Sequence, residues 1–332
     1  MATEAKLTKK DLKSDQEVRW CPGCGDYAIL SCVQGVLADL GASKEDTVFV
    51  SGIGCSSRFP YYMDTYGFHS IHGRAPAFVT GIKLANPKLT MWMVTGDGDG
   101  LSIGGNHLIH ILRRNVDVNI LLFNNEIYGL TKGQYSPTSR QGLKTKATPF
   151  GALDNPFNPL ALALGAGASF VARTVDTDTK HMARIFKEAA AHKGTSFIEI
   201  FQNCVIFNDG VFEDVANKKV RHDKLVDLIP GDPIVYGKEG DKGLLINGFG
   251  LEQCSADKAS VWNPSHQSAA PSMLFADVER GGDLPTPIGI FRRVEKPLFE
   301  KTVHEQIEAV TESKGPGKLK DLIYTGDTWE VS

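Results

Sequence analysis

The sequence predicts an α/β protein with a mostly parallel central sheet flanked by helices, followed by a C-terminal extension. Three observations carry this reading. Apolar runs of strand length occur at Thr47 to Val50, at Leu89 to Thr95 and again in VDVNILLF before Asn124. Between the last two, Ser102 to Arg114 repeats apolar residues at helical spacing, which makes a βαβ unit and so a parallel pair. Further along, LALALGAGASFVARTV, HMARIFKEAAAHK and TSFIEIFQNC continue the same alternation of helix and strand.

The remaining elements follow in order. Residues 1–19 are polar and mixed in charge, and read as a mobile arm or a segment draped over a partner. Residues 27–40 form an amphipathic helix that stops before Gly41, a C′ glycine. Phe59 to Phe68 is rich in aromatic residues and reads as core or interface. The polar connection after Thr131 is too long for a simple turn, and such loops line sites or make interfaces. A domain over 20–210 is expected, with 211–332 as an extension that packs on it or on a partner and ends in a helix at KTVHEQIEAVTES.

Composition excludes several function classes. The 36 Lys+Arg against 39 Asp+Glu give a net charge of -3, which offers no global attraction to nucleic acid or to an anionic membrane. No apolar run reaches the roughly 18 residues of a membrane span, and MATEAKLTKKDLKSD lacks a signal peptide's apolar core. A cytoplasmic location is the expectation, and there the six cysteines read as buried thiols or ligands.

The chemistry concentrates at strand ends. Gly96-Asp97-Gly98-Asp99-Gly100 sits where a strand meets its helix, the sheet edge at which α/β proteins bind ligands. Glycines there let backbone N–H groups approach a phosphate, yet the two carboxylates would repel it. A divalent cation resolves the conflict, because Mg²⁺ takes carboxylate and carbonyl oxygens together with phosphates. The next strand ends at Asn124-Asn125, and adjacent parallel strand ends bring Asp97 and Asn125 to one ion, while alternation turns Glu126 elsewhere. Neither GxGxxG in context nor GxxxxGK[ST] is present, which argues against NAD and ATP as the primary cofactor.

Cys21 and Cys24 form a C-x2-C pair, open to a redox dithiol, a zinc half-site or a cluster ligand pair. Cys55 in GIGCSS and Cys204 after FIEIFQN lie at element ends, from which a thiolate can reach a cluster. Cys32 falls inside a helix as a core thiol, and Cys254 has no assigned role.

The ordered set WCPGCG, GIGCS, HGRA, GDGD and NNEIYGLTKGQ resembles the thiamine-diphosphate-binding beta subunits of 2-oxoacid:ferredoxin oxidoreductases over about residues 18–210. The resemblance implies that Cys21, Cys24, Cys55 and Cys204 ligate one [4Fe-4S] cluster, although Asn203 stands where many relatives carry Pro. It implies that Asp97, the Asn125 side chain and the Ile127 carbonyl hold Mg²⁺ against the diphosphate. It also puts Gly54, Cys55, Ser56, His72, Gly73, Arg74, Gly96, Gly98, Asp99, Gly129, Leu130 and Thr131 around the cofactor. His72 and Lys132 are the expected polar contacts near the reacting carbon or carboxylates. Thiamine diphosphate supplies the electron sink for decarboxylating a 2-oxoacid, the cluster takes electrons singly, and coenzyme A takes the acyl group.

Partners follow from the same resemblance: an alpha subunit that supplies the carboxylate activating the cofactor, in an αβ or α2β2 assembly, and a ferredoxin. Lys132 favours 2-oxoglutarate, because an ammonium can pair with the distal carboxylate that pyruvate lacks. The alternatives are pyruvate or broad 2-oxoacid specificity, a thiamine-dependent enzyme without electron transfer, and a zinc-stabilised interaction protein.

Overall fold

The computed structural model describes residues 7–331. Eleven strands are present among them: β1 (Thr47–Ser51), β2 (Tyr66–His69), β3 (Thr90–Gly96), β4 (Val118–Asn124), β5 (Phe170–Val175), β6 (Thr195–Phe201), β7 (Leu225–Leu228), β8 (Val235–Tyr236), β9 (Lys242–Asn247), β10 (Gly250–Ser255) and β11 (Thr286–Arg293). Eight of them form one sheet in the order β2-β1-β3-β4-β6-β5-β11-β7. Every pair is parallel except β11 with β5. β8, β9 and β10 make a separate antiparallel meander.

Helices α1 (Asp26–Leu40), α2 (Ala75–Ala85), α3 (Asp97–Leu101), α4 (Gly105–Arg114), α5 (Pro159–Gly165) and α6 (Thr179–Ala191) cover both faces. Alternation along the strands decides which core each side chain enters. Trp92, Val94, Leu121 and Phe123 join Ile29, Val33 and Phe186 from α1 and α6 in one core. Met91, Met93, Ile120 and Leu122 meet Val79, Leu108 and Leu160 from α2, α4 and α5 in the other. Each such fully buried side chain contributes about 1.5–3 kcal/mol.

The structure departs from the sequence reading in four places. Residues 7–19 pack on their own chain: Leu12 is buried with Trp20, Asp64 N–H donates to Leu12 O and Ser14 N–H donates to Tyr62 O, so one apolar residue anchors an otherwise polar run. The first six residues lie outside the described ones. The helix expected from Ser102 starts only at Gly105, as α4, after a turn at Ser102 to Gly104 where the Gly73 backbone comes close, and the glycine-rich turn before it forms the short helix α3. The aromatic stretch divides: Phe59 and Tyr62 are buried, whereas Tyr61, Tyr66 and Phe68 are exposed on and before the edge strand β2. Finally, the region after residue 210 contributes β7 and β11 to the main sheet as well as the outer meander. β7 is only four residues long, and β11 reads in the sequence as the short apolar run PIGIFRRV with nothing local to say that it joins the main sheet.

Because β1, β3, β4 and β6 are parallel neighbours, their C-terminal ends share one edge. That edge carries Gly52 to Ser56, Asp97, Asn125 and Gln202 to Cys204.

Candidate active site

A cavity of about 530 Å³ opens at this edge. Gly54, Cys55, Ser56, His72, Gly96, Asp97, Gly98, Asp99, Asn125, Ile127, Gly129, Leu130 and Thr131 line it, joined by Ile53, Tyr128 and Gln134. Asp97 opens the short α3 and is buried. Its Oδ2 accepts from Ser136 Oγ at 2.6 Å and from Thr138 Oγ1 at 2.6 Å. Burial pushes this carboxyl up to about 6, against the pull of those two hydroxyls. A divalent cation beside it would restore the charged form.

The Asn pair has two jobs. Asn124 turns inward, its Nδ2 donating to Glu199 at 2.7 Å and its Oδ1 accepting from Thr138 at 2.9 Å. Asn125 lines the cavity, with Nδ2 donating to Gln202 Oε1 at 2.9 Å and Oδ1 accepting from the Ile127 N–H at 3.2 Å. Glu126 then takes a left-handed backbone, φ 54°, which turns the chain back toward the cavity at Ile127. Its carboxylate points the other way, to Arg280 at 2.6 Å, as the alternation argument expects. Ser139 Oγ donates to its carbonyl at 2.6 Å, so the strained turn is held from both sides.

Asp99 also lines the cavity, but its carboxylate is engaged within the chain. Oδ1 accepts from Ile53 N–H at 3.0 Å, from Gly73 N–H at 2.7 Å and pairs with His72 Nδ1 at 2.7 Å, while Oδ2 accepts from Thr95 Oγ1 at 2.7 Å. It therefore ties two loops to the end of β3 and leaves Nε2 as the free ring nitrogen of His72. Gly73 and Arg74 do not line the cavity: Gly73 is the donor just named, and Arg74 precedes α2 and donates to Ile103 O at 3.3 Å. Lys132 lies on the exposed turn beyond Thr131, at φ 77°, also outside the lining. Gly98 is required by close approach, since a Cβ there would overlap the Tyr128 ring, whose hydroxyl donates to Gly98 O at 3.0 Å.

The cysteines meet on the far side of the same wall. All four are free thiols, Cys21 exposed and Cys24, Cys55 and Cys204 half-buried. Gly25 N–H donates to Asn203 O at 3.2 Å and Trp20 Nε1 to Cys55 O at 2.7 Å, which pins the C-x2-C loop to the ends of β6 and β1. A Cβ on Gly129 would stand 3.5 Å from Cys55 Sγ and 3.6 Å from Cys204 Sγ. Burial, then the Asp26 carboxylate and the neighbouring Cys204 and Cys21, push the Cys55 thiol up to about 12. Burial followed by Asp26 raises Cys24 too, with Cys204 and Cys55 adding to it. Cys204 is raised by burial, opposed by N–H groups of Phe207, Ile206 and Asn208 on its sulfur.

Among the described residues, no group of three or more His, Cys, Asp or Glu side chains converges on a point where one ion could sit. The Asp97 site offers one carboxylate with an amide and a carbonyl, a set suited to Mg²⁺ that keeps water and phosphate ligands. The Cys55 and Cys204 sulfurs lie together beside Gly129, and the Cys24 and Cys204 sulfurs carry N–H donors, a donor set that fits an iron–sulfur cluster. Cys32 in α1 faces Thr179 O at 3.8 Å, and Cys254 in β10 stands opposite Gly243.

The thiamine pyrophosphate enzyme family, through its C-terminal TPP-binding domain, matches residues 52–200. The 2-oxoglutarate oxidoreductase subunit KorB of Mycobacterium tuberculosis is 50% identical over 341 residues, covering 99% of this chain and 90% of that one. The chain belongs to the beta subunits of the thiamine-diphosphate-dependent 2-oxoacid:ferredoxin oxidoreductases. Subunit beta of 2-oxoacid:ferredoxin oxidoreductase 1 from Aeropyrum pernix is 47% identical over 223 residues, 67% of this chain and 70% of its own. A solved structure of 2-oxoglutarate:ferredoxin oxidoreductase from Magnetococcus marinus, with 2-oxoglutarate, coenzyme A and succinyl-CoA bound, aligns at TM-score 0.78 and 33% identity over 98% of each chain. This membership bears out the family resemblance, the fold class and the enzyme class read from the motifs, and displaces the zinc-stabilised interaction protein. No helix among the described residues is long and apolar enough to cross a membrane.

Within this beta subunit, pattern reading missed Ser136 and Thr138 on Asp97, Arg280 on Glu126, Tyr128 on Gly98, and Gln202 between Asn125 and Cys24. The signal for the first pair was the length of the polar connection in which they sit. For Arg280 no local signal exists, because it comes from 154 residues away.

Proposed function

We propose that this beta subunit holds thiamine diphosphate, Mg²⁺ and one [4Fe-4S] cluster and, with an alpha subunit, converts 2-oxoglutarate and coenzyme A to succinyl-CoA and CO₂. The released electrons pass singly to a ferredoxin, and the same low-potential couple permits the reverse, carboxylating direction. The observation that supports this most is the shared wall: Cys55 and Gly129 belong at once to the cavity lined by Asp97 and Asn125 and to the thiol group. Electrons leaving the cofactor would then have a short route out.

Thiamine diphosphate, when bound, supplies the electron sink that amino-acid side chains lack. The chain's residues do the rest. Asp97, Asn125 Oδ1 and the Ile127 carbonyl hold Mg²⁺, and Gly96 and Gly98 let backbone approach the diphosphate. Cys21, Cys24, Cys55 and Cys204 hold the cluster. His72, oriented by Asp99, presents Nε2 to the cavity, where it binds a carboxylate or moves a proton. Lys132 follows the lining residues Leu130 and Thr131 on an exposed turn, and it would pair with a longer substrate's distal carboxylate. The alpha subunit supplies the activating carboxylate in an αβ or α2β2 assembly.

The test is anaerobic, coenzyme-A-dependent reduction of a low-potential one-electron acceptor by the chain co-purified with its alpha partner. A preference for 2-oxoglutarate over pyruvate is expected. Activity with pyruvate or another 2-oxoacid alone would overturn the substrate assignment, and an iron-free, sulfide-free protein after anaerobic handling would overturn the electron-transfer half.

A further inference from the structure

Gln202 is the residue after β6 and is 1% exposed. Its backbone N–H donates to Asn124 O at 2.9 Å, extending the β4–β6 pairing into the site. The side-chain amide bridges the two cofactor regions. Nε2 donates to Asn203 O at 2.6 Å and to Cys24 Sγ at 3.3 Å, and Oε1 accepts from Asn125 Nδ2 at 2.9 Å. The orientation is forced. Flipping the amide would set its oxygen against the Asn203 carbonyl and its NH₂ against the Asn125 NH₂, leaving buried polar atoms unsatisfied.

We propose that Gln202 is a positioning residue that couples the two halves of the site: its N–H on the Cys24 sulfur tunes the cluster's reduction potential, and its carbonyl fixes the Asn125 amide with oxygen toward the cation. The inference rests on the cluster and Mg²⁺ assignments made above. An N–H dipole aimed at a ligating sulfur favours the more negative, reduced cluster and so raises its potential. By engaging Asn125 Nδ2, Gln202 leaves Oδ1 as the ligand atom, the outer-shell work that sets metal affinity in other sites. One side chain thus ties cofactor retention to the ease of electron removal.

The experiment uses the complex co-purified anaerobically with its alpha subunit, in wild type, Gln202→Met and Gln202→Glu. Two readouts are taken: the cluster midpoint potential by spectroscopically monitored redox titration, and the Mg²⁺ concentration that half-saturates thiamine diphosphate binding. Gln202→Met lacks both polar functions, so its potential falls and its Mg²⁺ requirement rises about tenfold. Gln202→Glu keeps an acceptor for Asn125 but adds negative charge beside the sulfur, so its potential falls while its Mg²⁺ requirement stays close to wild type. An unchanged potential in both variants, with iron content intact, overturns the tuning role. An unchanged Mg²⁺ requirement in Gln202→Met overturns the coupling to Asn125. Loss of iron from both variants also overturns the proposal, since it makes Gln202 a structural support of the cluster rather than a tuner. Wild-type complex lacking iron and acid-labile sulfide sinks the functional reading beneath it instead.

Discussion

The Asp97 side of the wall and the cysteine side are built by opposite means. On the Asp97 side the polar atoms are held by the chain itself: Asp97 by two hydroxyls, Asp99 by four donors from two loops and β3, Glu126 by Arg280. Its shape belongs to the fold. On the cysteine side the sulfurs are gathered by backbone pinning, and burial pushes the Cys24, Cys55 and Cys204 thiols up. Its charge state belongs to whatever metal group binds, because coordination removes the thiol proton outright. Damage on the first side should therefore spread into stability, and damage on the second should stay with the cluster.

The largest effect that would sharpen this contrast is expected from Asp97→Ala. Mg²⁺-dependent retention of thiamine diphosphate after desalting should be abolished, with iron content unchanged; full retention would take Asp97 out of the site. Next comes Cys55→Ala, which should remove iron and acid-labile sulfide and end acceptor reduction while thiamine diphosphate still binds. Cofactor loss in that variant would break the comparison, by showing that the two sides do not separate.

Asp99→Asn should have a moderate effect of a different kind. The amide keeps one oxygen for Ile53, Gly73 and His72 but loses the charge that strengthens those bonds and turns its NH₂ on the Thr95 hydroxyl, so the apparent unfolding free energy in urea should fall by about 1–3 kcal/mol. Turnover should fall too, as His72 loses its orienting partner. A loss of activity with unaltered stability would show that Asp99 serves His72 alone and that the loops are tied elsewhere.

What the sequence disclosed follows the same division. The βαβ alternation and the strand-end positions of Asp97, Asn125, Cys55 and Cys204 were legible, because a parallel sheet brings strand ends together whatever the loops do. The thirteen expected cofactor residues on the cavity wall all stand at such ends or in the turn after β4. Asp99 shows where pattern reading stops: GDGD offers two equivalent carboxylates, and only the loops folding over them reveal that Asp99 is engaged with Ile53, His72, Gly73 and Thr95. Arg280 and the pairing of β11 were illegible for a related reason. Each meets its partner across a long stretch of chain, and neither periodicity nor turn chemistry encodes such pairings. Leu12 is the converse case, a single apolar side chain in a polar run whose burial anchors the segment around it.

The smallest effect is expected at Lys132, which tests whether the contrast extends to the substrate end. Its turn is closed by Gly133 N–H donating to Tyr128 O at 2.8 Å, and the residue is exposed. An exposed ammonium meeting a carboxylate contributes about 0.2–1 kcal/mol, or up to about fivefold in KM. Lys132→Ala should raise KM for 2-oxoglutarate by that factor and leave pyruvate nearly unaffected, and Lys132→Arg should restore the preference. Both variants keep a non-glycine residue at φ 77°, so backbone strain is common to them and cancels in the comparison. Equal KM changes for the two substrates would mean that the lysine acts through the turn's shape, and the distal carboxylate would then have to be read by another group at the mouth.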